Sequence, residues 1–211
     1  YQQEFLKDWD GLGIKWDLFT TTHTENHFKV TQDIFVRLYE KGFIYKNTMS
    51  QPFCEYHNRF LADRYVEGQC RHCDSNGARG DQCDGCGNTL DPKDLVDIKH
   101  KDCESTPVFR DTEHFFLKLS AFEKDLIDWA SEKSHWKPNV KNFTLGFLEG
   151  GLIDRAITRD ITWGIPIPLE GYDDKRIYVW FEAVIGYLSA SIEWASYTEN
   201  PDQWKEFWKK D

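Results

Sequence analysis

The sequence predicts an α/β protein interrupted by a small, metal-stapled segment. Residues 176–181 form a nearly continuous apolar run, typical of a strand buried on both faces of a parallel sheet, and a helical pattern follows them. In sheets of this kind, ligands bind at the carboxyl ends of the strands. In the middle of the chain, residues 51–103 are rich in glycine, aspartate and cysteine and show no helical period. We expect metal ions to take the place of an apolar core in that segment.

Hydrophobic periodicity predicts the elements that precede this last strand. A helix is expected over residues 28–41, where apolar side chains recur on one face and Gly42 supplies a left-handed cap. His23 and His27 lie near its start, and an isolated histidine there is more often a surface or capping residue than a ligand. Residues 43–45 are predicted to form a short strand.

A second strand is expected over residues 113–119, and two helices should follow it. Ser120 and Glu123 have the spacing of a capping box at the start of the first helix. Asn139 is expected to cap the second helix. The side chains expected to face inward are Phe122, Leu126, Trp129 and Ala130 in the first helix and Val140, Phe143 and Phe147 in the second.

The C-terminal part combines irregular and helical patterns. Residues 159–168 contain two prolines and are predicted to be irregular. The helix after residue 181 should present one inward stripe, and residues 202–209 predict a last amphipathic helix. The stripe consists of Val184, Tyr187, Leu188 and Ile192.

Composition narrows the class of protein. The 211 residues suffice for one large or two small domains, and the 9 tryptophans indicate packing on large rings. A formal net charge of −10 argues against a free-standing nucleic-acid groove, which needs clustered lysine and arginine. Since no apolar run approaches the ~20 residues of a membrane span, no membrane partner is expected.

The chain termini and the cysteine usage predict the subcellular compartment and indicate a fragment. The N-terminal sequence lacks the apolar region of a signal peptide. Cysteines in metal-like pairs without a secretion signal indicate a reducing, cytoplasmic compartment. Because the chain begins without methionine and starts and stops inside patterned segments, we expect it to be a fragment of a longer protein.

Two C-x-x-C pairs predict a first zinc site. Each turn points two thiolates into one small volume, and the short polar segment between the pairs can bring them together. The alternatives are two disulfides or free core thiols, which the spacing favours less. Four protein ligands leave no open position for water, so the zinc should be structural and not catalytic. The four ligands are Cys70, Cys73, Cys83 and Cys86.

Two further pairs, one C-x-x-H and one H-x-x-C, bracket the first four cysteines. Together they form a Cys2His2 set with ordinary zinc chemistry, and no cysteine of the chain is then left over. The alternative is a degenerate site in which the histidines only form hydrogen bonds. The predicted ligands of this second zinc are Cys54, His57, His100 and Cys103.

Several long motifs resemble the methionyl-tRNA synthetases, a family of class I aminoacyl-tRNA synthetases. They cover nearly the whole chain in the order of the family. The motifs are RFLADRYVEG (59–68), the cysteine pairs, TPVFRDTEHFF (106–116), RAITRDITWGIPIPLEGY (155–172) and YVWFEAVIGYLSASIEW (178–194).

The resemblance implies a partial Rossmann sheet with an inserted zinc-knuckle connective-peptide domain. Residues 1–47 then correspond to the end of the first Rossmann half, residues 48–158 to the insertion and residues 159–211 to the start of the second half. Family members with four knuckles hold two zinc ions, one between the outer pair of knuckles and one between the inner pair. The zinc-stapled arm is expected to guide the acceptor end of tRNA-Met.

The resemblance also implies a two-step reaction. Methionine and ATP, with Mg2+, form methionyl-adenylate, and the methionyl group then passes to tRNA. The H-x-G-H-type and K-M-S-K-S-type motifs that drive adenylation in class I enzymes are absent from this chain. We therefore expect a piece of a methionine–tRNA ligase that is monomeric and inactive alone.

Part of the methionine pocket is also implied by the resemblance. Trp180 and Tyr187 would supply its aromatic walls, and Ala183 and Val184 would shape its floor. Glu182 stands where many members have aspartate, and Val184 where many have proline. From periodicity alone, Trp180, Val184 and Tyr187 are more simply interpreted as core residues. The remaining carried-over residue, Arg159, matches a family arginine near the active site.

Two other classes of function compete with this interpretation. A zinc-ribbon module that docks protein or nucleic acid would need the metal segment but not the motif around Trp180. A stand-alone editing hydrolase would need a polar, water-activating pocket, and the sequence offers no obvious one.

Overall fold

The computed structural model describes residues 1–208 of the chain. The helices are α1 (Gln2–Gly11), α2 (Glu25–Glu40), α3 (Glu123–Ser131), α4 (Pro138–Glu149), α5 (Val179–Glu182), α6 (Ile185–Ser196) and α7 (Lys205–Trp208). The strands are β1 (Ile44–Cys54), β2 (Arg59–Phe60), β3 (Val66–Cys70), β4 (Ala78–Arg79), β5 (Leu95–His100), β6 (Val108–Leu117), β7 (Arg155–Ala156), β8 (Thr158–Arg159) and β9 (Arg176–Ile177). The predicted mixed α/β class is confirmed.

Contacts divide the chain into two compact units. One comprises Tyr1–Ile34 with the described residues from Val179 onward, and the other comprises Phe35–Tyr178. These divisions differ from the domain boundaries near residues 47 and 158 that the family resemblance implies, and those boundaries stay a prediction.

The first unit contains an aromatic cluster around Trp9 and a hydrogen bond that ties the segment before α2 to α6. The ring of Trp9, in α1, lies 5.0 Å from that of Trp16 and 5.3 Å from that of Phe19, measured between centroids. The threonine hydroxyl of Thr20 donates to a carboxylate oxygen of Glu193, in α6, at 2.7 Å. The predicted terminal helix is shorter than expected, since α7 covers Lys205–Trp208, and Lys209 lies outside the described residues.

The second unit is centred on the long antiparallel pair of β1 and β6. The pairing runs from Ile44 opposite Leu117 to Phe53 opposite Val108, and β2 and β7 flank it in the order β2-β1-β6-β7. The predicted strands over residues 43–45 and 113–119 therefore overlap much longer ones, although Phe43 and residues 118–119 lie outside them. Residues 46–48 of β1 are exposed and polar, so no apolar alternation marks them in the sequence.

The metal-stapled segment contains its own small sheet, in the order β4-β3-β5. It also has a small apolar core, contrary to the expectation that metal would replace one. Gly80 sits tightly against this core, because a Cβ there would lie 2.8 Å from Val66 Cγ2. The buried apolar side chains of this core, besides the cysteines, are Leu61, Val66, Ala78, Leu90 and Leu95.

The predicted parallel strand over residues 176–181 is wrong. The strand β9 ends at Ile177 and pairs antiparallel with β8, and Val179–Glu182 is the helix α5. Every strand pairing within residues 1–208 is antiparallel. Only Phe181 of α5 is buried, so the apolar run does not lie in a covered sheet.

The predicted cap of α3 is also wrong. The hydroxyl of Ser120 donates to Asp154 Oδ1 at 2.8 Å, and Glu123 Oε2 accepts the backbone N–H of Leu152 at 2.8 Å. Both side chains thus form hydrogen bonds with the segment after α4. The N-cap position of α3 is occupied by Phe122, which makes no side-chain hydrogen bond to the helix. Local capping has been replaced by tertiary hydrogen bonds.

The face predicted to be buried on α4 is exposed. Val140, Phe143 and Phe147 are 46, 76 and 65% exposed, whereas Leu148 is buried. Asn139 is not the cap, since α4 begins at Pro138 after Lys137. A proline in the first turn of a helix removes no intrahelical hydrogen bond, which explains this start.

In α6 the predicted stripe is likewise turned outward in part. Val184 and Tyr187 are 66 and 74% exposed, and the buried positions are Ile185, Ser189 and Ala195. No helix within residues 1–208 combines the length and the apolar character needed to cross a bilayer.

Candidate metal centres and binding residues

Four turns of one design present the eight predicted metal ligands. In each, two ligand residues are separated by two others, and a residue with positive φ follows the second ligand. This left-handed residue reverses the chain so that the next residue pairs with the first ligand, as in the 2.9 Å bond from the Cys70 N–H to the Ser75 carbonyl. The left-handed residues are Asn58, Asp74, Gly87 and Glu104.

The first centre gathers the four cysteines of the inner turns. The sulfur atoms of Cys70 and Cys86 are 3.9 Å apart, those of Cys73 and Cys83 are 3.6 Å apart, and all four lie within 4.8 Å of one another. A tetrahedral zinc with sulfur ligands at about 2.3 Å requires sulfur atoms about 3.8 Å apart. The spacing therefore fits a metal ion, and the disulfide alternative is excluded because all six cysteines are free.

Hydrogen-bond donors surround the sulfur atoms of this centre. The backbone N–H of His72 donates to Cys70 Sγ and the side-chain amide of Asn88 donates to Cys86 Sγ, both at 3.4 Å. The hydroxyl of Ser75 lies 3.3 Å from Cys73 Sγ. Four thiolates around one divalent cation leave a net negative charge, which such donors stabilise.

The second centre gathers the outer turns. The Nδ1 atoms of His57 and His100 lie 3.4 and 3.0 Å from the sulfur atoms of Cys54 and Cys103 respectively. The two sulfur atoms are 3.8 Å apart, and the four ligand atoms lie within 4.8 Å. This donor set also fits a tetrahedral zinc ion, which accepts imidazole nitrogen and thiolate together.

Two polar residues support the second centre. The hydroxyl of Ser105 lies 3.0 Å from Cys103 Sγ and 3.5 Å from Cys54 Sγ. The buried Nε2 atom of His100 lies 3.5 Å from the carboxylate of Asp102, which also accepts from Arg59. A carboxylate behind a histidine orients its other ring nitrogen toward a metal. Sequence reasoning missed Ser75, Asn88, Ser105 and Asp102, although the first three share one signal, a position two residues beyond the last ligand of a turn.

Each centre contains a thiol whose environment favours the metal-binding thiolate. Hydrogen bonding with Ser75 lowers the pKa of Cys73 to about 6, whereas burial raises the pKa of Cys70 to about 11. Burial alone would raise the pKa of Cys54, but hydrogen bonds with Ser105 and His57 outweigh it and lower that pKa to about 5. The thiolate is the form that binds metal.

The two centres hold opposite ends of the small sheet. Cys70, at the end of β3, pairs with Leu95, and Val66, at its start, pairs with His100. The four-residue step between Val66 and Cys70 spans roughly 13 Å along a strand. Metal at both ends would pin the register of a sheet that has only a small apolar core.

Arg159 is held by partners from its own unit. Its Nη2 atom donates to Asp63 Oδ2 at 3.0 Å, and its guanidinium lies 3.7 Å from the ring centroid of Tyr178. Tyr178 donates to the same carboxylate oxygen at 3.0 Å, and burial raises its pKa. The side chain of Arg159 is only 12% exposed. The arginine is thus fixed in orientation.

Beside Arg159 lies a buried charged network that the sequence did not reveal. The carboxylate of Asp160 is bonded to Lys175 and accepts from the Thr112 hydroxyl at 3.0 Å, and its Oδ2 atom lies 3.0 Å from Nε2 of His114. Burial alone would raise the pKa of Asp160, but the bonds with His114 and Lys175 hold it below its ordinary value. Burial lowers the pKa of His114. A small cavity of about 10 Å³ adjoins this network, lined partly by Gln51, His114 and Arg159.

The predicted methionine-pocket residues lie at the corner between α5 and α6, in the other unit. Trp180, Val184 and Tyr187 are 57, 66 and 74% exposed, so the alternative that they are core residues is wrong for this chain. Glu182 differs from them, because its carboxylate is bonded to Nε2 of His27 at 2.7 Å. His27 is buried, contrary to the expectation of a surface or capping histidine.

Comparison with known proteins assigns the family. The family profile described as "tRNA synthetases class I (M)" matches residues 1–211. The chain belongs to this family of class I tRNA synthetases. Relatives within it include a methionine–tRNA ligase of Dehalococcoides mccartyi, 59% identical over all of this chain, and one of Thermoplasma acidophilum, 52% identical over 99% of it. The chain spans 38% of the length of each of these two ligases.

Solved structures share the fold of this class I synthetase chain. A Mycobacterium tuberculosis methionyl-tRNA synthetase bound by methionyl-adenylate superposes with a TM-score of 0.60 at 20% identity, covering 98% of this chain and 36% of the other. The apo form of the same enzyme gives a TM-score of 0.59 and covers 100% of this chain and 37% of the other. These likenesses concern the fold alone.

Proposed function

We propose that this chain is the part of a methionine–tRNA ligase that carries two structural zinc centres and one wall of the methionine pocket. The parent enzyme activates methionine with ATP and Mg2+ and transfers the methionyl group to tRNA-Met in the cytoplasm. The segment itself is monomeric. It does not catalyse methionine activation alone, because it lacks both adenylation motifs. Its domains follow the family pattern, with an insertion over residues 48–158.

The zinc assignment rests on the donor sets. One centre offers four sulfur atoms and the other offers two sulfur and two imidazole nitrogen atoms, with spacings that suit a tetrahedral ion. All four positions of each ion are then filled by protein, so zinc supplies rigidity and not chemistry on a substrate. Zinc therefore stiffens the arm that meets the acceptor end of tRNA-Met.

The exposed pair Trp180 and Tyr187 is the observation that supports the methionine pocket best. Large aromatic side chains exposed together on one corner are typical of binding surfaces. A methionine thioether makes favourable contacts with aromatic rings, worth about 0.3–1.5 kcal/mol each. Ala183 and Val184, between them, leave room for the flexible side chain and form the floor.

Arg159 is the candidate for a contact with the charged groups of the reaction. A guanidinium matches carboxylate and phosphate geometry, and it stays protonated throughout the physiological range. Asp63 and Tyr178 fix its direction. Its role in the parent enzyme is to position and neutralise a substrate anion.

The competing functions explain less of the chain. A zinc-ribbon docking module accounts for the two metal centres but not for the aromatic corner. A stand-alone editing hydrolase needs a water-activating pocket open to substrate. The buried network around Asp160 has its carboxylate bonded to Lys175, Thr112 and His114 instead.

The test is methionine-dependent pyrophosphate exchange by the full-length ligase that contains this chain. Trp180→Ala should raise the KM for methionine about tenfold and leave the KM for ATP unchanged. Trp163→Ala is the matched control, because Trp163 is 67% exposed but lies in the other unit. Equal effects of the two substitutions, or exchange by the isolated chain, would contradict the proposal.

A further inference from the structure

His27 bridges the two helices that carry the exposed aromatic residues. Its Nε2 atom lies 2.7 Å from Glu182 Oε2, at the end of α5, and its Nδ1 atom lies 2.8 Å from Ser189 Oγ, in α6. Both ring nitrogens are thus used, and the side chain is only 1% exposed. An imidazole held at both nitrogens in a buried site has a single orientation.

The neighbouring residue adds a second tether to the same corner. The side-chain amide of Asn26 donates to the backbone carbonyl of Ser189 at 2.8 Å. Ser189 is itself buried, and its hydroxyl donates to the carbonyl of Gly186 at 3.1 Å. The first turn of α2 therefore contacts Ser189 of α6 twice, at its backbone carbonyl and at its side-chain hydroxyl.

The aromatic residues of the corner depend on this bridge for their position. Trp180 lies in α5 two residues before Glu182, and Tyr187 lies in α6 two residues before Ser189. Because both rings are more than half exposed, few packing contacts hold them. The angle between α5 and α6 then decides the distance between the two rings, and His27 is bonded to both helices.

We propose that His27 is a positioning residue for methionine, acting through Glu182 and Ser189 on Trp180 and Tyr187. This inference rests on the proposed methionine pocket. It also gives Glu182 a different role from a direct contact with substrate, because the carboxylate is 12% exposed and bonded to His27. Removing the bridge loosens the pocket without removing any wall.

The experiment is a double-mutant cycle in the full-length ligase, with KM for methionine, KM for ATP and kcat measured by pyrophosphate exchange. His27→Phe keeps the ring volume but removes both hydrogen bonds, and Glu182→Ala removes the partner carboxylate. Each should raise the KM for methionine about tenfold and change the KM for ATP less than twofold. Since the two residues act as one unit, the double variant should differ from either single variant by less than threefold.

Two further variants serve as controls. Glu182→Gln keeps the size and an acceptor oxygen for His27 and should restore the KM for methionine to within threefold of the wild type. His23→Asn changes a nearby exposed histidine and should have no effect. Should His27→Phe fail to fold, Glu182→Ala and Glu182→Gln still test the bridge.

Three results would overturn the inference. One is an unchanged KM for methionine in folded His27→Phe or Glu182→Ala enzyme. Another is an equal rise of both KM values with a lowered melting temperature, which indicates a merely structural role. The third is a Trp180→Ala enzyme with normal methionine kinetics, which removes the pocket itself. A Trp180 effect without a His27 effect leaves the proposed function standing and rejects only the bridge.

Discussion

Ser75 and Ser105 occupy equivalent places in the two candidate metal centres. Each follows the last cysteine of its turn by two residues, and each hydroxyl lies beside that sulfur, at 3.3 Å from Cys73 and 3.0 Å from Cys103. In both turns the serine carbonyl also accepts the N–H of the first ligand, at 2.9 Å. One local design therefore both closes the turn and places a polar group on the thiolate.

These serines should govern how tightly the metal is held. We expect Ser105→Ala to weaken zinc binding at the second centre about tenfold, because groups that support metal ligands have effects of that size. The rate of zinc release to a chromogenic chelator measures this. In Ser105→Ala, the release phase of the second centre should be faster than in the unaltered protein. Ser50→Ala, on the exposed part of β1, is the control. Identical release curves for all three proteins would contradict the prediction.

Metal analysis should find two zinc ions per chain, since the structure brings together two sets of four ligands. Cys103→Ser should reduce the content to about one, because a three-ligand remnant binds zinc weakly. Cys83→Ser should do the same at the other centre. A single zinc ion in the unaltered protein would refute the second centre and leave the first intact.

Removal of zinc should unfold the small sheet before the rest of its unit. The metal-stapled segment has few buried apolar side chains, and both ends of its sheet meet a centre. Strong chelation should therefore increase amide hydrogen exchange in β3 and β5 while protection of the first half of β1 persists. The latter is supported by the packing of Phe35 on Phe115, at 5.3 Å between ring centroids. Unchanged exchange in β3 after verified zinc loss would refute this order.

Lys175→Met should destabilise the protein by about 3 kcal/mol, since it leaves the buried carboxylate of Asp160 without its main counter-charge. Lys124→Met is the matched control, because the Lys124–Asp128 pair is exposed on one helix and should leave the midpoint unchanged. Denaturant unfolding at constant zinc concentration measures both. Similar midpoints for the two variants would show that the network around Asp160 contributes little.

Much of the local structure was accessible from spacing alone. The C-x-x-C pairs and the mirrored Cys/His pairs predicted the two ligand sets, because a turn of fixed length determines which side chains share a volume. The helix α2 and its glycine cap were predicted for a similar reason, since periodicity and a left-handed residue are local properties.

Burial was predicted less well, and the failures have a common cause. From periodicity alone, the apolar side chains of α4, of the run before α6 and of the stripe in α6 belong to a core, yet Phe143, Trp180 and Tyr187 are exposed. Sequence periodicity states which residues share a face but not what covers that face. The predicted capping box of Ser120 and Glu123 is wrong for a similar reason, because both side chains form hydrogen bonds with the segment after α4 instead.

The sequence by itself predicted the two candidate metal-ligand sets and determined the mixed α/β class and the family. These depend on residue identity over short distances, or on whole motifs kept in order. Only the tertiary structure decided that His27 joins Glu182 to Ser189 and that Asp160 joins His114 to Lys175. Such bridges connect residues far apart in the chain, and a lone histidine or lysine carries no local sign of the partner that folding will place beside it.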